Sequence, residues 1–146
     1  MREIEFRGFD STKWYYGDLE YNRKTGVARI HTYEEDGPYC RQYTVDPDTI
    51  GQFTGLHDKH GRKIFEGDIL LWTRKNIHIE GRPIQDFFDK CIIYYDNDKC
   101  GFRFRYKFDC GSCVGILDFR DDRAKESYIE VIGNIHDNAK LLEHEQ

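Results

Sequence analysis

The chain has 146 residues and a net charge of -5, with 34% charged and 38% hydrophobic residues, enough for one compact domain or two small lobes. The acidic balance, with a pI near 5.7, argues against holding DNA by bulk electrostatics, because neutralising phosphates takes clustered Lys and Arg. No apolar run approaches the ~18 residues that a membrane-spanning helix needs.

A mean hydropathy of -0.80 would suit a disordered chain if the apolar residues were scattered. They recur instead at every second position, and ten Phe, ten Tyr and two Trp supply the bulk of a strand-built core. Met1 to Glu5 lacks the regions of a secretory signal. Five cysteines (Cys40, Cys91, Cys100, Cys110 and Cys113) form an odd set without framework spacing, which in an unexported chain reads as reduced thiols. The expected setting is the cytoplasm.

Taken in order, Arg2 to Gly8 predicts an opening strand with Ile4 and Phe6 on one side and charges on the other. Trp14-Tyr15-Tyr16 is a second strand, expected to end at Gly17-Asp18, and Val27 to Tyr33 alternates up to Glu34-Glu35-Asp36-Gly37-Pro38. Tyr39 to Val45 follows and stops at Asp46-Pro47-Asp48, where proline removes a ladder donor. In the middle, two turns at His57 to Gly61 and Glu66 to Asp68 bracket a short strand ahead of the buried run Ile69-Leu70-Leu71-Trp72.

Phe87 to Tyr95 breaks at Asp96-Asn97-Asp98 and resumes at Phe102 to Phe108, a long hairpin; Val114 to Phe119 and Tyr128 to Ile135 add strands, the last with a glycine bulge or close approach at Gly133. Asn138 to Glu145 reads as a short C-terminal helix that needs docking to persist. The fold class expected is mainly β: antiparallel strands in a partly open barrel or two packed lobes, with that helix at the end. The 1-146 unit is read as one domain that can divide into an N-terminal meander over 1-48 and a barrel-like lobe over 49-146.

Phe102-Arg103-Phe104-Arg105-Tyr106-Lys107-Phe108 would place Arg103, Arg105 and Lys107 on one strand face and four aromatics on the other. A basic face beside aromatics is a candidate for binding single-stranded nucleic acid; the competing reading is a solvated basic strand face. Cys110-Gly111-Ser112-Cys113 and His57-Asp58-Lys59-His60 could hold zinc only if His57, His60, Cys110 and Cys113 converge. With no second cysteine pair, a thiol-containing turn is the simpler reading, and no metal is assigned. Asp96 to Gly101 begins like a calcium loop, but Cys100 stands at its fifth position and Lys107 at its twelfth, where a bidentate Glu should close it. Neither a P-loop nor a dinucleotide fingerprint is present, so no cofactor is expected. No catalytic residue stands out, because neither Glu66 with Asp68 nor Asp121 with Asp122 adjoins an obvious nucleophile.

Three blocks carry a resemblance: Ile4-Glu5-Phe6-Arg7-Gly8 with Trp14 to Leu19; the central stretch from Val45 to Leu70, most specific in Gly51-Gln52-Phe53-Thr54-Gly55-Leu56 through Asp58-Lys59 and Gly61 to Ile64-Phe65-Glu66-Gly67-Asp68-Ile69; and Glu130-Val131-Ile132-Gly133-Asn134-Ile135 on to Leu142. In order and spacing they resemble the YopX family of phage and prophage proteins from end to end. His60 and Ala139 depart from the family's common Asn and Pro. The resemblance implies a β-rich fold, a mobile-element origin and self-association, and it carries no catalytic residue. The reading that follows is a non-enzymatic interaction or assembly module, a homo-oligomer with a host or phage protein partner; the alternatives are a nucleic-acid-binding module and, behind it, a metal-dependent enzyme.

Overall fold

The computed structural model describes residues 1–33, 40–74, 78–79, 82–83, 87–108, 111–116 and 127–143, with side chains over 1–33, 40–73, 90–105 and 129–143. The chain divides into two compact units, Met1–Leu56 and His57–Gln146.

In the first unit, β1 (Phe6–Phe9), β2 (Trp14–Asn22), β3 (Val27–Tyr33), β4 (Cys40–Val45) and β5 (Gly51–His57, whose last residue lies past the boundary) follow one another. They lie side by side in the order β4-β3-β2-β1-β5. These neighbours pair antiparallel, as short connections require. The division follows Leu56 rather than residue 48 because β5 pairs with β1, Phe6 opposite Gln52 and Arg7 opposite Gly51. Between β4 and β5, Pro47–Thr49 form one 3-10 turn with Asp46 at its N-cap accepting the Asp48 N–H. The core follows from alternation on β3: Ala28 and Ile30 are buried and pack with Val45, and Phe6, Tyr15, Leu19 and Ile50 close around them. Burying a side chain of Ile size contributes about 1.5–3 kcal/mol.

Two expectations are corrected here. Ile4 is 58% exposed and precedes the first strand, whereas Arg7 is buried, its guanidinium 4.8 Å from the centre of the Trp14 ring. The one-face-apolar pattern fails because Ile4 lies ahead of the pleated strand and the Trp14 ring packs on the Arg7 side chain. Nor does the second strand end at Gly17-Asp18: β2 runs through both, with Gly17 opposite Phe6 and Asp18 opposite His31. Glycine is required there by close approach, since a Cβ on Gly17 would overlap the His31 carbonyl oxygen.

In the second unit, β6 (Lys63–Phe65) is followed by β7 (Asp68–Arg74), β8 (His78–Ile79), β9 (Arg82–Pro83), β10 (Phe87–Asp96), β11 (Gly101–Phe108), β12 (Gly111–Ile116) and β13 (Ser127–Asn134). Five of these form a sheet in the order β12-β11-β10-β7-β13. The apolar run Ile69-Leu70 lies on β7, inside the sheet between β10 and β13, and both side chains are buried, which is why it does not alternate. Ile93, Cys91, Ile64 and Phe104 are buried with them, and Trp72 meets Phe104 edge to face at 5.1 Å. β8 and β9 form a two-stranded ladder that sequence patterning missed, at two residues each too short to show a period. The mainly β antiparallel class is the one found. The short C-terminal helix is a 3-10 helix over Ala139–Leu142, without a side-chain cap, because the Asn138 carboxamide instead accepts the Asn134 N–H at 3.3 Å.

Candidate functional site

Alternation on β2, β3 and β4 places Glu20, Arg29, His31, Tyr33 and Cys40 on one face, opposite Ala28 and Ile30 in the core. Asp18 stands across from His31, and Tyr33 from Cys40. Diagonal neighbours on such a face are within reach of long side chains, and this face uses that reach three times, beside the directly opposed pair Glu20 and Arg29. The Glu20 carboxylate accepts from Arg29 Nη1 at 2.9 Å through Oε1 and meets His31 Nε2 at 2.9 Å through Oε2. On the other side of the ring, His31 Nδ1 lies 3.4 Å from Cys40 Sγ. Tyr33 donates its hydroxyl to Asp18 Oδ2 at 2.9 Å.

The electrostatics give this line of groups a direction. The hydrogen bond from His31, helped by Arg29, holds the Glu20 carboxyl below the usual Glu range, so it is ionised and can only accept. Nε2 must therefore carry the ring proton, and in the neutral imidazole Nδ1 is then the open acceptor, pointing at the Cys40 thiol. The arrangement is a thiol, a base and a carboxylate that orients the base. Cys40 is exposed and His31 is half-buried. Asp18 raises the Tyr33 phenol above its ordinary range through their hydrogen bond.

None of these residues stood out in the sequence, because the three functional groups lie on three strands. The signal available was parity: Arg29, His31 and Tyr33 fall on the outward side of an alternating strand, and a hairpin at Asn22 to Val27 brings Glu20 opposite Arg29.

The residues that sequence reasoning did single out are elsewhere. On β11, Arg103 Nε lies 3.1 Å from Asp96 Oδ2, both side chains about one-fifth exposed, so that cation is already countered. Arg105 is exposed and lies 4.7 Å from the centre of the Tyr94 ring. Lys107 lies on the same strand, opposite Ser112 in the register, and its side chain is outside the described residues. Of the aromatics on the other face, Phe104 is buried and Phe102 packs edge to face on Tyr95 at 5.3 Å. Asp96 Oδ1 accepts the N–H groups of Asp98 and Lys99 at 3.0 and 3.2 Å, a side-chain-closed turn where sequence suggested the start of a calcium loop.

His60 Nε2 lies 3.4 Å from Glu130 Oε1, and Lys59 Nζ lies 2.5 Å from Glu130 Oε2, pairs that hold the Glu130 carboxyl below its usual range, Lys59 most of all. His57 ends β5 and is exposed. Cys110, Asp121 and Asp122 lie outside the described residues, and Cys113 is placed only by its strand position opposite Tyr106. Among the described residues no group of three or more His, Cys, Asp or Glu is arranged to hold a metal ion. Among them, too, no helix is long and apolar enough to cross a membrane.

Residues 5–143 match the family model described as YopX protein. The chain belongs to the YopX family. Among solved structures, it is similar to the crystal structure of protein EF1440 from Enterococcus faecalis, with 23% identity over 98% of this chain and 100% of that one and a TM-score of 0.51. That likeness speaks for the fold. No curated protein matches the chain.

The YopX resemblance blocks noted in the sequence can be read physically. In the block around Asp58, Oδ1 accepts the His60 and Arg62 N–H groups at 2.8 and 2.9 Å while Oδ2 accepts the Val131 N–H at 3.1 Å. In Phe65-Glu66-Gly67-Asp68, buried Asp68 accepts the Phe65 N–H at 2.8 Å, and Gly67 bonds to Ile93 and Ile135 through its backbone, at 2.8 and 2.9 Å. At the end of β13, Asn134 Oδ1 accepts from His136 and Asp137, each at 2.9 Å, and a Cβ on Gly133 would fall 2.8 Å from Asn138 Cβ. These YopX positions pin turns to strands. The Glu20–His31–Cys40 line lies outside those blocks.

Proposed function

We propose that this YopX-family chain is a non-enzymatic interaction module of phage or prophage origin that works in the bacterial cytoplasm and associates with a second copy of itself through β4. The observation that carries the reading is the position of β4, last in the order β4-β3-β2-β1-β5, with a partner strand on one side only among the described residues. A terminal strand offers a row of backbone donors and acceptors for another strand. Its residues suit self-pairing: a two-fold axis through Gln42 sets Gln42 against its own copy, Arg41 against Tyr43 and Cys40 against Thr44, so no like charges face each other. Tyr33, 66% exposed beside this strand, adds aromatic area.

The test is mass against concentration by sedimentation, where the monomer is 17.5 kDa. The expected result is a dimer that Gln42→Lys weakens, by setting two cations against each other across the axis, and that Gln42→Thr preserves. A monomer throughout the concentration series overturns the proposal.

A second reading has one observation in its favour, the exposed Arg105 guanidinium on the Tyr94 ring of β10. A planar cation supported by an aromatic suits stacking on unpaired bases. Binding of single-stranded DNA that weakens steeply as salt rises, and that Arg105→Ala reduces, is the expected result; no binding at low salt removes this reading.

A further inference from the structure

We propose that Cys40 is a modification site, a thiol activated by His31 and Glu20 for exchange with low-molecular-weight disulfides. The geometry supplies three things such a site needs: an exposed sulfur, a base within reach of its proton, and a group fixing the base's tautomer. Cys40 Sγ is 3.4 Å from His31 Nδ1, and its other polar neighbour, the Arg41 carbonyl oxygen, is farther away at 3.8 Å. Glu20 keeps the ring proton on Nε2 and is itself held by Arg29.

The step balances with the disulfide as the oxidant. His31 Nδ1 takes the Cys40 proton as Sγ attacks one sulfur of R–S–S–R. The Cys40 S–S–R bond forms, the original S–S bond breaks, and R–S⁻ leaves with the electron pair and takes the proton back from the imidazolium. Cys40 is oxidised and one R–S group is reduced to the thiol. The site does not depend on strand pairing at β4, because side chains stand off the sheet face while pairing runs along the strand edge.

The protein contains its own comparison. Cys100 is also exposed, but its sulfur faces the Asn97 carbonyl oxygen at 3.6 Å, with no imidazole among its described contacts. Cys91 is buried. The experiment treats the full chain with bis(2-hydroxyethyl) disulfide at pH 7, follows adducts by peptide mass mapping and compares the rates at Cys40 and Cys100. The expected result is that Cys40 reacts about tenfold faster, that His31→Gln brings it down to the Cys100 rate, and that Glu20→Gln gives an intermediate rate. The Cys100 rate stays constant in both variants as an internal standard for the reagent, and an unchanged near-ultraviolet circular dichroism spectrum reports that the fold is intact. Added imidazole partly restores the rate in His31→Gln, a rescue that a merely structural histidine does not show. Equal rates at Cys40 and Cys100 in the unaltered protein overturn the proposal without reference to any variant.

Discussion

Asp58 Oδ2 accepts the backbone N–H of Val131 at 3.1 Å, joining positions 73 residues apart, while its other oxygen closes the turn that Asp58 itself begins. One carboxylate thus serves three N–H donors and fixes the turn after β5 to β13. Asp58→Ala leaves those donors without their acceptor and is expected to cost about 3 kcal/mol. Urea unfolding followed by tryptophan fluorescence measures it; a loss under about 1 kcal/mol would show that water replaces the carboxylate without difficulty.

The same residue sets an acid limit. Burial raises the Asp58 pKa, but three backbone donors and the nearby His60 outweigh it and leave the group below its ordinary value of 3.8. Glu130, beside Lys59, and Glu20, beside His31, are held below their ordinary 4.5, and hydrogen bonds from Thr12 and Lys13 hold Asp10 far below 3.8. A depressed folded pKa means that the unfolded chain binds more protons, so the stabilisation is complete above the ordinary values and is lost as pH falls through the folded ones. The urea midpoint is therefore expected to hold from neutrality to about pH 5 and to drop below about pH 4. Asp58→Asn should flatten that drop.

Two glycines should respond differently to a methyl group. Gly17→Ala drives a Cβ into the His31 carbonyl of the neighbouring strand, and a loss of about 2–4 kcal/mol is expected. Gly61 has φ of 79° with open space around it, so Gly61→Ala meets only the left-handed backbone penalty, about 1 kcal/mol. Thermal unfolding of the pair decides; equal shifts would mean that β3 moves aside.

Position along β10 makes a second pair. Ile93 is fully buried and Tyr95, two residues on, is 38% exposed at the end of the strand. Ile93→Ala should cost about 2–5 kcal/mol and Tyr95→Ala about 1 kcal/mol or less, both read as changes in urea midpoint at constant m.

Much of this fold was readable wherever a strand buries one face. Ala28 and Ile30 alternate with Arg29 and His31, and the Phe102 to Phe108 alternation marked β11 and its hairpin with β10. The glycine bulge on β13 was legible as a glycine interrupting an apolar run, and it appears as a register shift between Val131 and Gly133. What failed had a common cause. Arg7 is inside because the Trp14 ring of the next strand packs on it, and Gly17 continues a strand because a close carbonyl, not a turn, demands it. Both depend on neighbours that are remote in sequence. The Glu20, His31 and Cys40 alignment was hidden for the same reason: it is a property of the register between strands, and no one segment encodes it.

The slip on β13 reaches beyond its own turn. Val131 stands opposite Leu70 and Gly133 opposite Ile69, so Ile132 has no counterpart on β7. That extra residue resets the odd-even count of the strand, and everything after it answers to a new phase. A chain lacking one residue at this point would keep nearly the same composition and the same apolar run. It would nevertheless turn Gly133 and Asn134 to the opposite faces of the sheet, carrying the Asn134 carboxamide and the two N–H groups it receives round with them. Related sequences are therefore best aligned here by phase and only then by letters.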